Sequence, residues 1–513
     1  MVTDDMSPPG RRVPKALRGA LSASDVSSGL NELAGLGLEV LRYYENVGIA
    51  FVQIPAGHDL GKLREHPHVD YIEPDIHGDN VAIASRAPPS LARRPESASL
   101  FATSSTASMS QSTPWGVLLM RAPDAWPYST GASARMLIVD SGHERGHEDL
   151  PFVPLGNCLG AYSGCSDPIW PAGLPHGSHV TGIAVALENG LGVVGVAKGL
   201  PSSNLYSWGA CDDALVCPHP EIIASLNWAT GNLGGLGIIN MSLTGKTFSQ
   251  PYANAIAAAS AAGHVIVAAA GNSGTNQIRY PAAYSNVLGV AAILPTKAFA
   301  GTIAPCPAAP GKLGSSWGNH VDFVAPWYAL STVTPNSYGD ESTPPYWCGT
   351  SMATPHVAAV AALIRSRYPL LNAGGVYTRL RDTAEPLGPA GWDDHYGFGL
   401  PRAHLAVTFD RPVVTASIAS GKARLSWFAI PFATEYRVYR RVTPTLCPQW
   451  ELYGATGTTS YTDNGTDVSS VYGYDSYPQS QVAVSYAVTA FAEGIETVLT
   501  QYATFIPTGN VFC

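Results

Sequence analysis

Three segments of this 513-residue chain each set a potential catalytic side chain beside small residues. In MLIVDSGHERGHEDL, Asp140 follows an apolar run and precedes a Ser-Gly turn. In LPHGSHVTGIAVA, His176 opens a helical pattern, and in WCGTSMATPHVAAVAALI, Ser351 does the same. Singly, each has an ordinary explanation: Asp ends strands as a turn former, a histidine at a helix start is usually solvated or satisfied, and Gly-Thr-Ser is a common N-cap string. In the order Asp, His, Ser they match one of the few chain orders known for an acid, base and nucleophile triad. A serine hydroxyl is a weak nucleophile at neutral pH and needs a base. His176 would take the Ser351 proton and hand it to a leaving amine, while Asp140 fixes the imidazole tautomer and stabilises the imidazolium. A metal hydrolase built on His176 and His179 is disfavoured, because the spacing is not HExxH and no glutamate base lies between them.

The elements that must position these residues run from Pro114 to about Phe409. Short apolar runs alternate there with helical patterns: ARMLIVD, HVTGIAVAL, GIINMSL, a helix ending at Ala262, then HVIVAAAGN. This alternation predicts an α/β unit, a parallel sheet with helices on both faces, and functional residues at the carboxyl ends of its strands. Residues 1–82 read as a small α+β unit with a helix over 25–34, a strand over 38–54, a helix over 58–65 and a last edge strand in HPHVDYIEPD. Residues 83–109 turn to Ser, Ala, Pro and Arg without apolar period, as an exposed, protease-accessible linker does. After Arg411 the strings ARLSWFAI, EYRVYRR, TSYTDNG and VAVSYAVTAF predict an all-β antiparallel sandwich over 410–513.

The length exceeds one ordinary core, so two or three domains are expected. With 46% hydrophobic and 13% charged residues the chain suits a globular protein. A formal net charge of -9 offers no basic field for nucleic acid or anionic lipid. No run of about 18 apolar residues appears, so no membrane span is expected, and the start MVTDDMSPPGRR carries no visible secretory leader. The eight cysteines fall into neighbouring pairs, 158 with 165, 211 with 217, 306 with 348 and 447 with 513. An even count without CxxC spacing fits disulfides in an oxidising compartment, hence secretion.

From about Ser110 to Ala403 the sequence resembles the subtilisin-like (subtilase) family. GTSMATPHVAA around Ser351 is nearly the full family signature, and HGSHVTG differs from the usual HGTHVAG at Ser178 and Thr181. ALENGLGVVGVA, IINMSLTG, VAAAGNSG, YPAAYSNVLGVAAI, SSWGNHVDFVAPW and YGFGLPRA follow in family order. The resemblance implies a subtilisin-like fold and a protein-cleaving serine endopeptidase. It gives Asn272 the oxyanion role, shared with the Ser351 backbone N–H. It makes His147, His179 and His356 packing or hydrogen-bonding residues. It also implies a calcium site from Gln111, Asp149 and Asn189 with the carbonyls of Leu187, Leu191 and Val193, an oxygen set suited to a hard cation.

The substrate pocket departs from the family pattern. Ser242, Leu243, Thr244 and Gly245 stand where SLGG is usual, Ala270 and Gly271 belong to the same expected pocket, and Arg279 replaces a small residue before Tyr280 and Pro281. An inward Arg279 would pair with an acidic substrate residue or plug the pocket; the short loop after Asn272 favours an outward one. The N-terminal unit resembles the family's inhibitory prodomain in VGIAFVQIPAG and HPHVDYIEPD, which implies a zymogen whose tail lies through its own active site, with mature protein starting near Ser110 after a cut following Met109, or with an earlier first cut within the linker. The C-terminal unit resembles a fibronectin type III domain in ARLSWFAIPFATEYRVYRR. The expected partners of this monomer are protein or peptide substrates and its own prodomain. Two alternatives remain: a catalytically silent binding protein of the same fold, and a peptide ligase using the same triad.

Overall fold

The structure is a computed structural model that describes residues 31, 34–35, 38–54, 81–83, 110–144, 146–151, 158–159, 175–211, 216–301, 314–342, 347–443, 447–472, 483–497 and 502–507. Two compact units divide the chain, one of residues 1–381 with 386–403, the other of 382–385 with 404–513. Among the described residues no helix is long and apolar enough to cross a membrane.

The first unit is built on a seven-stranded sheet. Its strands in chain order are β4 (Met136–Asp140), β5 (Cys158–Leu159), β6 (Leu205–Gly209), β8 (Ile238–Met241), β10 (Val265–Ala269), β11 (Val287–Ile293) and β12 (Phe323–Pro326). They lie in the order β12, β11, β10, β8, β4, β6, β5, every pairing parallel. β4, β10 and β11 are buried at every position, as a sheet covered on both faces requires. On one face Leu137, Val139, Ile239, Met241, Ile266 and Ala268 join a core with helices α2 (His219–Asn232) and α3 (Gln250–Ala261). Against the other lies α4 (Thr350–Arg367), whose first sixteen residues are all buried, with α1 (His176–Val185), buried throughout, beside it. Both helices are rich in Ala, Gly, Ser and Thr, so their axes approach the sheet and each other closely.

Of the expected N-terminal elements, the strand over 38–54 is a hairpin. β1 (Glu39–Tyr44) and β2 (Ile49–Gln53) pair antiparallel. Gly48, at φ 65°, makes the reversal that an uninterrupted strand reading overlooked. The hairpin sits on α2: Tyr44 and Ile49 enter its core, the Tyr44 hydroxyl donates to the Pro220 carbonyl at 3.1 Å, and Arg42 pairs with buried Glu221. The Asn46 amide donates to Asn227 Oδ1 at 2.8 Å. The expected helix over 58–65 and the edge strand in HPHVDYIEPD lie outside the described residues, as does most of the linker.

β3 (Val81–Ile83) is the middle strand of a separate three-stranded sheet, antiparallel to β7 (Val216–Cys217) on one side and β9 (Leu243–Thr244) on the other. A disulfide joins Cys211 to Cys217 and closes a loop of sequence separation 6 that ends on β7. Cys348 is also disulfide-bonded, and among the described residues no cysteine is free.

The second unit carries one large sheet whose pairings are antiparallel. β13 (Thr415–Ala419), β14 (Lys422–Ser426), β15 (Glu435–Thr443), β16 (Cys447–Thr456), β17 (Ser460–Tyr472), β18 (Ala483–Ala492), β19 (Ile495–Glu496) and β20 (Tyr502–Pro507) are its strands. They form one linked path in the order β13, β14, β17, β20, β18, β15, β16, with β19 on β18. The expected separate sheets are joined because β17, 13 residues long, pairs with β14 over one stretch and with β20 over another. Trp427, Tyr436, Val438, Tyr486, Val488 and Phe505 fill the core.

Candidate active site

Asp140 is the last residue of β4, and the register pairs Val139 with Met241 of β8, so the positions following those two strands lie side by side at the carboxyl edge. Asp140 Oδ1 accepts from the Ser141 amide at 2.7 Å and lies 2.7 Å from His176 Nδ1. A carboxylate there selects the Nδ1–H tautomer and leaves Nε2 as the basic nitrogen. Nε2 is buried and makes no hydrogen bond. The start of α1 is set against the turn after β4. The Gly177 amide donates to Ser141 Oγ at 3.0 Å, and a Cβ on Gly177 would lie 1.6 Å from the Gly142 carbonyl oxygen, so only glycine fits between His176 and Ser178.

Ser351 is the second residue of α4. Its Oγ donates to the Ser242 carbonyl at 3.0 Å, while Ser242 Oγ donates to the Ser351 carbonyl at 2.8 Å. Ser351 therefore does not hydrogen-bond His176 here; such contacts are often loose before substrate engages. Asp140, His176 and Ser351 have no exposed surface. Asn272, three residues past β10, accepts through Oδ1 from the Thr350 amide at 2.9 Å and the Thr350 hydroxyl at 3.0 Å. Thr350 Oγ1 in turn accepts from the Gly271 amide at 3.0 Å. The carbonyl end of the Asn272 side chain is thus committed beside the start of α4. Thr350 as this organiser was missed; its place beside Ser351 in the Gly-Thr-Ser string was the available signal.

The other histidines of these motifs serve packing. His179 Nε2 lies 3.1 Å from the Ala329 carbonyl and 3.0 Å from that of Gly339, with its ring stacked on Trp347. His356 Nδ1 bonds the Met352 carbonyl at 2.8 Å, and His147 Nε2 that of Ser337 at 2.9 Å. Burial pushes His179 down to about 3 and His356 to about 4, so both are neutral at ordinary pH.

Four of the six expected cation ligands converge, and Asp149 is tied to the amide of one of them. Gln111 Nε2 lies 2.6, 3.2 and 3.1 Å from the carbonyl oxygens of Leu187, Leu191 and Val193. Asp149 is fully buried; Oδ2 accepts from the Val193 amide at 2.7 Å and Oδ1 has no partner. That burial pushes the Asp149 carboxyl up to about 7. The three carbonyls converge on the Gln111 amide, and convergent main-chain oxygens of this kind suit a hard cation. Asn189 instead turns its Nδ2 to the Glu148 carbonyl, with Oδ1 on the Leu191 amide.

In the region expected to bind substrate, β9 carries Leu243 and Thr244, and the Gly245 amide and carbonyl are both bonded to Tyr280, at 2.7 and 3.0 Å. Ala270 is buried, its amide donating to the Val290 carbonyl at 2.9 Å. The outward reading of Arg279 is overturned: the residue is 6% exposed. Its Nη2 donates to Ser273 Oγ at 2.9 Å and Gln277 Oε1 at 3.2 Å, and its stem lies over Gly271, with Cγ 3.1 Å from where a Cβ there would stand. The short loop itself supplies two acceptors to Nη2, which lets Arg279 turn in from solvent.

The sequence profile described as Subtilase family matches residues 167–399. The chain is similar to Subtilisin DY of Bacillus licheniformis, 37% identical over 303 residues that span 58% of this chain and 99% of that protein. It is similar also to M-protease of Shouchella clausii (strain KSM-K16), 31% identical over 397 residues, 75% of this chain and 86% of that protein. Among solved structures it matches that of the Psychrophilic Subtilisin-like Protease Apa1 from Antarctic Psychrotroph Pseudoalteromonas sp. AS-11, with a TM-score of 0.47, 22% identity, and coverage of 58% of this chain and 98% of the other. With the Asp, His and Ser motifs in family order on a parallel sheet, and relatives of this identity spanning the catalytic unit, the chain belongs to the subtilase family of serine endopeptidases.

Proposed function

We propose that the chain is the zymogen of a secreted, self-processing endopeptidase that cleaves protein substrates through Asp140, His176 and Ser351. His176 Nε2 takes the Ser351 proton as Oγ adds to the scissile carbonyl, then protonates the departing amine; water repeats the cycle on the acyl-enzyme. The Asn272 amide and the Ser351 backbone N–H hold the oxyanion. The even cysteine count supports secretion.

The observation that carries the zymogen reading is the position of β3, paired between β7 and β9 in the manner of a peptide added to an open cleft. β9 follows directly on Ser242, the residue bonded to Ser351, so an N-terminal strand lies beside the nucleophile, and the triad has no exposed surface. The hairpin docked on α2 anchors the same segment. Gln111, Asp149 and the carbonyls of Leu187, Leu191 and Val193 would hold a calcium ion that stabilises the loop. The fibronectin type III-like second unit would serve as a substrate-holding or spacer module.

The test is the intact mass of the purified chain beside Ser351→Ala, each folded with calcium. Loss of an N-terminal segment only where Ser351 is present is expected. If both folded chains stay whole, self-processing is wrong.

A further inference from the structure

Arg279 is a buried cation without a counter-ion. It is 6% exposed, and among the described residues no carboxylate pairs with it. Burial pushes its guanidinium below the ordinary value, with no neighbouring charge opposing the shift, yet a guanidinium stays protonated at any ordinary pH. Its fork offers donors at Nε, Nη1 and Nη2. Nη2 donates to Ser273 Oγ at 2.9 Å and Gln277 Oε1 at 3.2 Å, whereas Nε and Nη1 have no acceptor among the described residues. Buried charges are normally paired, and here the pairing is left open.

The open fork stands close to the expected chemistry. The Arg279 stem lies along Gly271, where a Cβ would stand 3.1 Å from Cγ and 3.5 Å from Cδ. Gly271 precedes Asn272 and donates its amide to Oγ1 of Thr350, the neighbour of Ser351, at 3.0 Å. From the other side, Tyr280, next to Arg279, exchanges backbone hydrogen bonds with Gly245, next to Thr244. Thr244 Oγ1 is buried and has no hydrogen-bond partner. An unused guanidinium edge and an unused hydroxyl thus belong to residues flanking one bridge, and a carboxylate accepts from both kinds of donor.

Resting on the endopeptidase reading, we infer that this chain cleaves after acidic residues: Arg279 pairs with the glutamate or aspartate side chain of the residue whose carbonyl Ser351 attacks, with Thr244 Oγ1 as a second donor. That residue's carbonyl is the one Asn272 would receive, so its side chain is the one set beside Gly271 and the Arg279 stem. A carboxylate matches the guanidinium fork, whereas an apolar side chain would leave the charge unpaired. An arginine acting only as a plug would have its whole fork satisfied within the protein, and only Nη2 is.

The experiment measures kcat/KM of the refolded full chain, with Ser351→Ala as blank, on peptides identical except for Glu, Gln or Leu before the scissile bond. Glu and Gln differ in charge and hardly in shape, so a merely structural role of Arg279 would not move their ratio. The wild type is expected to favour Glu over both others by at least about tenfold. Arg279→Gln should bring the Glu-to-Gln ratio to about one, and Thr244→Val should lower it. Equal values for Glu and Gln in the wild type, a preference for Leu, or a Glu preference that survives Arg279→Gln overturns the inference and leaves the endopeptidase standing. Should Arg279→Gln fail to fold, Arg279→Lys carries the assignment: a weakened Glu preference supports it, because an ammonium lacks the fork, and an unchanged one sinks it. A folded wild type that hydrolyses neither these peptides nor unfolded casein refutes the endopeptidase reading and this inference with it.

Discussion

Ser242 and Ser351, 109 positions apart, exchange hydrogen bonds: each hydroxyl donates to the other's carbonyl, at 2.8 and 3.0 Å. The exchange is possible because of Pro355. A residue four places after Ser351 would ordinarily donate its amide to the Ser351 carbonyl within α4, and proline has no N–H to give. The Ser351 carbonyl is left for Ser242, and the residue between β8 and β9 is locked to the first turn of α4. Asn240 Nδ2 donates to Ser242 Oγ at 3.1 Å and extends this lock into β8.

Replacing Ser242 by Ala strands a buried carbonyl. The expected loss is about 1 to 3 kcal/mol of stability, measured by denaturant unfolding in the Ser351→Ala background to prevent self-digestion. An unchanged midpoint would mean that the exchange contributes nothing.

Asn272→Ala removes the side chain whose carbonyl end is tied to Thr350 and whose amide end would meet the oxyanion. The expected result is a fall in kcat of about 100- to 1000-fold with KM nearly constant, because the interaction strengthens only in the transition state. A rise in KM with kcat intact would assign Asn272 to ground-state binding instead.

Calcium should stabilise the wild type and fail to stabilise Asp149→Asn. At about a hundredfold excess over Kd, the wild type should gain about 2.7 kcal/mol. Thermal unfolding with calcium and with a chelator reads this directly, and equal chelator sensitivity in the two proteins would remove Asp149 from the site.

Much of this arrangement is legible in local sequence. MLIVD at residues 136–140 is apolar without alternation and so reads as a buried parallel strand ending on its one acid, and TSMATPHVAAVAALI has the small, helix-forming residues that a buried helix needs. What was not legible depends on partners far away. The burial of Arg279 rests on Ser273 and Gln277 closing around it, the sheet of β7, β3 and β9 joins segments more than a hundred residues apart, and β17 links strand groups by length rather than composition. The hairpin of β1 and β2 was missed for a smaller reason, a single glycine within an apolar run.

Acid should weaken the fold through His179 and His356. Burial holds both below their unfolded value of about 6.5, so the native state keeps them neutral while the unfolded chain takes up protons. The stability this represents is whole above about pH 6.5 and is lost as pH falls toward about 4. Each group contributes a slope of up to about 1.4 kcal/mol per pH unit. Buried Asp149 works in the opposite sense between its unfolded value and about 7, so the slope is best read with calcium present, as the difference between Ser351→Ala and Ser351→Ala with His356→Gln. A flatter acid limb in the His356 variant is expected; parallel limbs would show that His356 is protonated in the folded protein.

The Cys211–Cys217 bridge closes a short loop that ends on β7, the outer wall beside β3. A loop of this size adds only about 2 kcal/mol to stability by chain entropy, so its larger consequence is the placement of Val216 and Cys217 as a pairing edge. That edge meets Val81 and Ala82, whereas β9 meets Ala82 and Ile83, so β7 reaches one residue further toward the N-terminus of the paired strand. Converting both cysteines to alanine should therefore raise KM several-fold for peptides long enough to reach β7, with kcat little changed, and should leave peptides of two residues before the cut unaffected. Kinetics on a length series would decide: an equal penalty at every length would make the bridge a general stabiliser, whereas a penalty confined to the longer peptides would make it part of the binding cleft.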